Sequence, residues 1–163
     1  MNSIHQFTVK NIEGKEVSLS DYKGKVLLII NTASKCGFTP QLDNMEALYK
    51  EYEGKDFELL AFPSNDFGGQ EPLEGEALEQ FCRLDYKANY PIFDKIPVKG
   101  EKADPLYQFL SQKKLNGKLS SKPRWNFHKY LVDKEGRVVD YFLSLTKPDA
   151  KKVKKAIDKL LAS

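Results

Sequence analysis

The apolar run at positions 26–30, Val-Leu-Leu-Ile-Ile, is the feature that most constrains the fold of this chain. Consecutive apolar residues without polar alternation are typical of a strand buried on both faces, as at the centre of a mostly parallel sheet. Small and polar residues follow and surround Cys36. Thr39 is a suitable helix cap, and Pro40 suits a first helical position. The pattern predicts that Cys36 lies between the carboxyl end of a buried strand and the amino end of a helix.

This placement predicts a reactive sulfur. The first N–H groups of a helix have no partner within the helix, and its dipole is positive there, so both favour the thiolate. The thiolate is the nucleophilic form of cysteine. The alternative is a buried structural cysteine, which is common. Gly37 and the lack of apolar residues immediately before Cys36 favour the reactive interpretation, and Lys35 is a further candidate for stabilising the charge.

Composition narrows the class of protein. The 163 residues are 40% hydrophobic and 30% charged, which is typical of one globular domain spanning 1–163. A net charge of +3, with both signs interspersed, argues against a nucleic-acid partner. The longest apolar run is too short for membrane insertion, and the N-terminus lacks the pattern of a signal peptide. We therefore expect a cytoplasmic protein with reduced thiols, in which a disulfide is transient and catalytic.

The order of predicted elements indicates the fold class. Hydrophobic periodicity and turn residues predict an N-terminal β-hairpin, the strand at 26–30, a helix from Pro40, a strand at 57–63, a helix from Pro72, a helix at Asp104–Pro105, a polar loop at 115–123, strands at 125–132 and 137–142, and a last helix from Pro148. Strand, helix and strand in succession form a parallel βαβ unit. The layout is α/β and thioredoxin-like, with a central mixed sheet flanked by helices.

The chemistry of a dithiol oxidoreductase is excluded at Cys36. A Cys-x-x-Cys motif would occupy this junction, but the fourth position here is Thr39. A lone reactive thiol suits attack on a peroxide, which cleaves the O–O bond and leaves a sulfenic acid. The departing oxygen then needs hydrogen-bond donors or positive charge.

Three side chains are candidate donors: Gln70, Trp125 and Asn126. Each has a plainer alternative, since Gln70 can face water, Trp125 can belong to the core and Asn126 can bond local backbone. Cys82 lies on the apolar stripe of its predicted helix, so it is either a packed small hydrophobe or a redox partner. A disulfide with Cys36 would require local unwinding, because the two Cα atoms must come within about 7 Å. The histidines show no metal-ligand spacing with the cysteines, and we expect neither metal nor cofactor.

Three motifs together resemble the glutathione peroxidase family. They lie at 31–39, around Cys36, at 62–72, and at 125–127, and the resemblance runs in order over nearly the whole chain. It implies that Cys36 is the peroxidatic residue and that Gln70, Trp125 and Asn126 complete the catalytic tetrad. It also implies that Cys82 is the resolving cysteine of members that use thioredoxin.

Three departures from the family pattern are present. Ser64 stands where many relatives have cysteine, which leaves Cys82 as the resolving candidate. Asp66 stands where glutamine is usual, and its charge is expected to influence the activation of Cys36. The segment at 113–124 is short where tetrameric members carry an assembly loop, which implies a monomer.

The resemblance implies a thiol peroxidase that reduces hydrogen peroxide and organic hydroperoxides. We expect an intramolecular disulfide recycled by thioredoxin, with glutathione as the other reductant, because Cys82 is present and no basic cluster is evident beside the site. One alternative is a peroxide sensor that passes oxidation to a partner protein. Another is a non-catalytic thioredoxin-like binding module, in which Cys36 would alkylate no faster than a free thiol.

Overall fold

A computed structural model describes residues 3–69 and 71–163. The strands in this part of the chain are β1 (Thr8–Lys10), β2 (Glu16–Ser18), β3 (Val26–Thr32), β4 (Phe57–Pro63), β5 (Lys129–Val132) and β6 (Val138–Phe142). The helices are α1 (Gln41–Glu51), α2 (Gly75–Gln80), α3 (Pro105–Ser111), α4 (Lys113–Asn116) and α5 (Lys151–Leu161), with a π-helical turn, Phe81–Asp85, directly after α2.

The central sheet is mixed, with strand order β4-β3-β5-β6. β3 pairs in parallel with β4 and antiparallel with β5, which in turn pairs antiparallel with β6. All seven residues of β3 are buried, as its unbroken apolar sequence predicts for a central strand. β1 and β2 form the predicted N-terminal hairpin. This confirms the predicted fold class.

Alternate residues of β3 face two separate hydrophobic clusters. Leu28 and Ile30 belong to the cluster that α1 and α5 cover, whereas Leu27 and Ile29 belong to the cluster that α3 covers. Because successive side chains of a strand point to opposite faces, a strand in this position must be apolar at every residue. The helices therefore flank the sheet on both sides.

Three segments arrive at the same edge of the sheet. The carboxyl ends of β3 and β4 lie there because these strands are parallel, and the amino end of β5 lies there because β5 is antiparallel to β3. Backbone hydrogen bonds join the segments: Ser64 N donates to Thr32 O at 3.0 Å, and Phe127 N donates to Asn31 O at 2.7 Å. The topology thus brings together the regions that follow β3, follow β4 and precede β5.

Two helices begin later than predicted. α1 starts at Gln41, and Thr39 does not cap it, because the Thr39 hydroxyl is hydrogen-bonded within the preceding loop. α2 starts at Gly75 rather than at Pro72. The Lys95 ammonium binds the carbonyl oxygens of Glu71 and Leu73, which fixes this stretch in a non-helical conformation.

The predicted strand at 125–132 is shorter in the structure. β5 begins at Lys129, and a turn at 125–127 precedes it, with Phe127 in the left-handed region at φ 66°. The predicted loop at 115–123 begins inside the short helix α4, and α5 begins at Lys151 because the residues after Pro148 form a turn. Among the described residues, no helix has the length and apolar character needed to cross a membrane.

Candidate active site

Cys36 lies in a loop that its own polar groups hold in place. Its N–H donates to Thr39 Oγ1 at 2.9 Å, and that hydroxyl donates to Ala33 O at 2.9 Å. The Phe38 N–H points at Cys36 Sγ, with an N-to-S distance of 3.4 Å. Cys36 precedes α1 by a series of tight turns rather than lying in its first turn. We expected an N–H of the helix terminus to donate to the sulfur. In the structure, the donor is the Phe38 N–H of the loop.

Asn31 anchors the turn before β5 next to this loop. Its side-chain Nδ2 donates to Trp125 O at 3.2 Å, and its Oδ1 accepts from His128 N at 3.1 Å. Asn31 itself is fully buried at the end of β3. Trp125 is 37% exposed, whereas Asn126 is fully buried. A single side chain on the central strand thus fixes both ends of the turn that carries Trp125 and Asn126.

The loop after β4 reaches the same turn through an aromatic contact. The rings of Phe67 and Trp125 lie with their centroids 5.8 Å apart, and the Lys99 ammonium lies 5.1 Å from the centroid of Phe67. Gln70, predicted from this loop, lies outside the described residues. The Cys36 loop, the Trp125 turn and the loop after β4 together form the candidate active site.

A buried carboxylate that the sequence reasoning missed joins two of these segments. Glu71 Oε1 accepts from Ser34 Oγ at 2.5 Å, and both residues are almost completely buried. Burial raises the pKa of Glu71, while the hydrogen bond from Ser34 and the charge of Lys95 oppose that rise. Hydrophobic periodicity carries no signal for such a pair. The available hint was that Ser34 lies in the motif at 31–39 and Glu71 in the motif at 62–72.

Cys82 occupies a different environment, although it packs on the same face of the sheet. It lies in the π-helical turn after α2, is 4% exposed and belongs to the hydrophobic cluster against which Cys36 is packed. Burial raises the pKa of its thiol to about 12. Both cysteines are free thiols. No disulfide joins the two residues in this structure.

Comparison with known proteins identifies the family. The model of the family described as glutathione peroxidase matches residues 4–111. The chain belongs to the glutathione peroxidase family. It is therefore a peroxide-reducing thiol peroxidase, an oxidoreductase.

Similar curated relatives extend the match to nearly the whole chain. Glutathione peroxidase homolog BsaA of Staphylococcus epidermidis is 45% identical over 99% of this chain and 100% of the relative. A probable phospholipid hydroperoxide glutathione peroxidase 6, mitochondrial, of Arabidopsis thaliana is 49% identical over 98% of this chain and 68% of the relative. These relatives place both cysteine segments within the family match.

Solved structures give the same family and the wider fold. A crystal structure of T. cruzi GPX1 superposes with a TM-score of 0.77 at 35% identity, covering 99% of this chain and 97% of the other. A thioredoxin-family thiol:disulfide interchange protein of Chlorobium tepidum superposes with a TM-score of 0.64 at 15% identity, covering 95% and 92%. The second likeness shows the thioredoxin-like fold alone.

Two departures from the family pattern have defined surroundings. Ser64 is buried, and its hydroxyl oxygen accepts from Asp66 N at 3.3 Å. The Asp66 carboxylate accepts from Val98 N at 2.6 Å and from Lys99 N at 3.2 Å. The charge that was expected to influence Cys36 is therefore engaged by backbone donors of the segment at 98–99.

A basic groove whose lining includes Arg124 lies next to the Trp125 turn. The groove has a volume of about 600 Å³. Its cationic residues are Lys113, Lys114, Lys122 and Arg124, and Tyr141 and Leu143 contribute apolar surface. The cations all come from the stretch 113–124, but the groove could not be predicted because only the fold brings Tyr141 and Leu143 against that stretch.

Proposed function

We propose that Cys36 is the peroxidatic cysteine of an enzyme that reduces hydrogen peroxide and organic hydroperoxides. One observation carries this proposal: a free, half-exposed thiol, with a backbone N–H directed at its sulfur, stands at the sheet edge where the Trp125 turn and the loop after β4 meet. This thiol is partly exposed to solvent, and one backbone N–H points at its sulfur.

In the proposed first step, the Cys36 thiolate attacks one oxygen of the peroxide. The S–O bond forms, the O–O bond breaks, and Cys36 becomes a sulfenic acid. The departing alkoxide or hydroxide takes up a proton. We assign Trp125, Asn126 and Gln70 to this leaving oxygen, with the indole N–H and the two amides as donors.

In the proposed second step, Cys82 resolves the sulfenic acid. The S–H bond of Cys82 and the S–O bond of Cys36 break, a disulfide forms, and water leaves. Cys82 must first leave its hydrophobic cluster. Its π-helical turn supports this assignment, because π-helical turns are rare and frequently found at functional sites.

For the return to the thiol state, we propose thioredoxin as the reductant of the disulfide by thiol exchange. The protein acts as a monomeric single domain in the cytoplasm. Glutathione, which appears in the names of the family and of the relatives, is the other candidate, and the basic groove beside the Trp125 turn is complementary to its carboxylates.

Steady-state kinetics with each reductant test this function. Wild type and Cys82→Ser are supplied with hydrogen peroxide and either thioredoxin with its reductase or glutathione with its reductase. We expect rapid turnover of wild type with thioredoxin, and its loss in Cys82→Ser. Rapid turnover of Cys82→Ser with glutathione would contradict the assigned resolving role, and absence of peroxide consumption by wild type with either reductant would contradict the enzyme.

The burial of Cys82 also favours a second candidate, a peroxide sensor. A resolving thiol that is 4% exposed must be released before it reacts, which lengthens the life of the sulfenic acid. A partner thiol then has time to attack Cys36. Sluggish turnover, together with a mixed disulfide between Cys36 and a protein partner in cells expressing Cys82→Ser, would favour the sensor over the metabolic enzyme.

A further inference from the structure

The turn that carries Cys82 is bonded to the stretch that follows it. Cys82 lies in the π-helical turn Phe81–Asp85, directly after α2. The Ala88 N–H donates to Cys82 O at 3.0 Å, so the chain folds back onto Cys82 within a few residues. Lys87, at the point of reversal, has a left-handed conformation at φ 53°, which is uncommon for a residue other than glycine. The backbone of Cys82 is therefore restrained by the stretch that comes after it.

Arg83 adds two hydrogen bonds to the same connection. Its Nη1 donates to Ala88 O and to Tyr90 O, each at 2.8 Å. Hydrogen bonds from a charged donor are shorter and stronger than those between neutral groups. Because Arg83 is the residue directly after Cys82, its bonds hold the turn in which the thiol lies. Arg83 thus joins this turn to the stretch 88–90.

The stretch 88–90 is itself fixed to the rest of the protein. The Asn89 N–H donates to Glu46 Oε1 at 2.8 Å, and Asn89 Nδ2 donates to Glu46 Oε2 at 2.6 Å. Glu46 belongs to α1 and is 6% exposed. Ala88 and Tyr90 are buried in the same hydrophobic cluster as Cys82. Arg83 is therefore bonded to a stretch that α1 and the core keep in place.

The Cys82 turn faces solvent on its other side. Leu84 is 70% exposed, whereas Cys82 is 4% exposed. The turn opens toward solvent when the Arg83 guanidinium releases the carbonyls of Ala88 and Tyr90 and is hydrated instead. We call these two hydrogen bonds the Arg83 latch.

We propose that Arg83 is a positioning residue whose latch keeps the Cys82 turn closed, and that release of this latch limits the rate at which Cys82 reaches oxidised Cys36. This inference rests on the proposed function. Release breaks two hydrogen bonds and changes no covalent bond. In the step that follows, the hydrogen of the Cys82 thiol and the hydroxyl of the sulfenic acid leave together as water, so no further reactant is needed.

The variant Arg83→Met removes the latch and keeps an unbranched side chain. The loss of hydrogen bonds from a charged donor is expected to make the open turn at least about tenfold more populated. Loss of the Arg83 charge also raises the pKa of Cys82, which slows attack by the opened thiol. The net gain in the rate of the second step is therefore expected to be smaller, about threefold or more.

Two further variants separate the latch from the charge. Lys87→Met is the matched control, because it removes a positive charge from an exposed side chain in the same segment and leaves the latch in place. Arg83→Lys keeps the charge beside Cys82 and a donor that reaches toward the same carbonyls. It is expected to restore part of the wild-type behaviour, since an ammonium lacks the extended planar head of a guanidinium.

The experiment measures opening and reaction separately in the full-length reduced protein. Hydrogen exchange of the Ala88 amide, which donates to Cys82 O, measures opening of the turn, and the amides of β3 serve as the reference for the whole molecule. One turnover with hydrogen peroxide, without reductant, gives the two rate constants. The first step is read from the fluorescence of Trp125, the single tryptophan, and the second from quenched samples in which mass spectrometry measures the Cys36–Cys82 disulfide.

We expect Arg83→Met to exchange the Ala88 amide at least about tenfold faster and to accelerate the second step about threefold or more. The first step and the β3 amides keep their wild-type rates, as do all readouts of Lys87→Met. A second step no faster than in wild type, an unchanged Ala88 amide, or equal acceleration of the β3 amides would overturn the inference. A wild type that forms no sulfenic acid would instead overturn the proposed function.

Asn89→Ala provides a second arm that leaves every charge in place, and it decides the matter if Arg83→Met does not fold. It removes the bond from Asn89 Nδ2 to Glu46 and so loosens the stretch to which Arg83 is bonded. We expect the Ala88 amide to exchange at least about threefold faster and the second step to accelerate by about twofold or more. A second step at the wild-type rate, with a faster Ala88 amide, would refute the limiting role of the opening.

Discussion

The two cysteines of this protein pack against one hydrophobic cluster, yet polar groups surround Cys36 and apolar groups surround Cys82. Around Cys36, polar bonds within the loop and a backbone N–H aimed at the sulfur determine the structure. Cys82 is instead held by packing among apolar side chains, and this burial raises the pKa of its thiol to about 12. The same side chain is therefore partly exposed among polar groups in one place and buried among apolar groups in the other.

The difference extends to what each region needs in order to react. The Cys36 loop is held by hydrogen bonds of the Thr39 side chain, and the Asn31 side chain fixes the Trp125 turn. The Cys82 region must open, since its thiol is 4% exposed. The two regions should therefore respond differently to substitution, to thiol reagents and to pH.

Replacement of Cys36 should have the largest effect. Cys36→Ser is expected to lower peroxide consumption by at least about a thousandfold, because a serine hydroxyl without a base is a far weaker nucleophile than a thiolate. Consumption of hydrogen peroxide in the presence of the reductant measures this loss. If Cys36→Ser and Cys82→Ser lose activity equally in a single turnover without reductant, the distinction between the two thiols fails.

Alkylation of the native protein should separate the two thiols next. At pH 8, iodoacetamide is expected to modify Cys36 at least about a hundredfold faster than Cys82, because Cys82 is buried and protonated. Mass spectrometry of the two peptides over time gives both rates. In denaturant the rates should converge. Equal rates in the native protein would show that burial does not protect the Cys82 thiol from alkylation.

Acid is expected to lower the stability of the protein through His128, at the end of the Trp125 turn. Burial lowers the pKa of His128 to about 4, and the charge of Lys129 adds to this effect. A lowered pKa gives stability that is present above about pH 6.5 and is lost as the pH falls toward 4, by up to about 3 kcal/mol.

Urea unfolding from pH 7 to pH 4 measures this loss, with His128→Gln as the comparison. We expect wild type to lose more of its free energy of unfolding than the variant does over this range. At alkaline pH, the raised pKa of Cys82 gives stability that is present below about pH 9 and is lost toward pH 12. Parallel curves for wild type and His128→Gln in acid would contradict the assignment.

The smallest effect is expected at Asp66. Its carboxylate is bound to the backbone N–H groups of Val98 and Lys99, so Asp66→Asn should change the rate of Cys36 oxidation by less than about twofold. Stopped-flow oxidation at neutral pH measures this rate. A change of tenfold or more would mean that the Asp66 charge acts directly on the Cys36 side.

Much of the fold was predictable because it depends on patterns that repeat along the chain. The apolar run at 26–30 determines a central strand, and Asp104 followed by Pro105 determines the start of α3, where the Asp104 side chain accepts from Leu106 N. The starts of α1 and α2 were wrong, because Thr39 and Lys95 make hydrogen bonds that compete with capping. The Thr39 bonds are local but belong to a loop conformation that no periodicity predicts, whereas Lys95 lies 22 residues from Leu73 in sequence.

The candidate site, like the fold, was predictable only in part. Cys36 and the motif that carries Trp125 and Asn126 were visible as residue types at a predicted sheet edge. The strand predicted for that motif was wrong, because the Asn31 side chain bonds both ends of a turn there. Glu71 and the basic groove could not be predicted, since each exists only when separate segments meet.

One measurement tests the central claim most directly. Reduced wild-type protein receives one equivalent of hydrogen peroxide, is quenched with acid and is mapped by mass spectrometry with the thiols blocked. We predict loss of both free thiols and appearance of a peptide pair joined through Cys36 and Cys82. Two intact thiols after the peroxide has been added, or oxidation confined to Cys82, would contradict the proposed roles of Cys36 as the peroxidatic and Cys82 as the resolving cysteine.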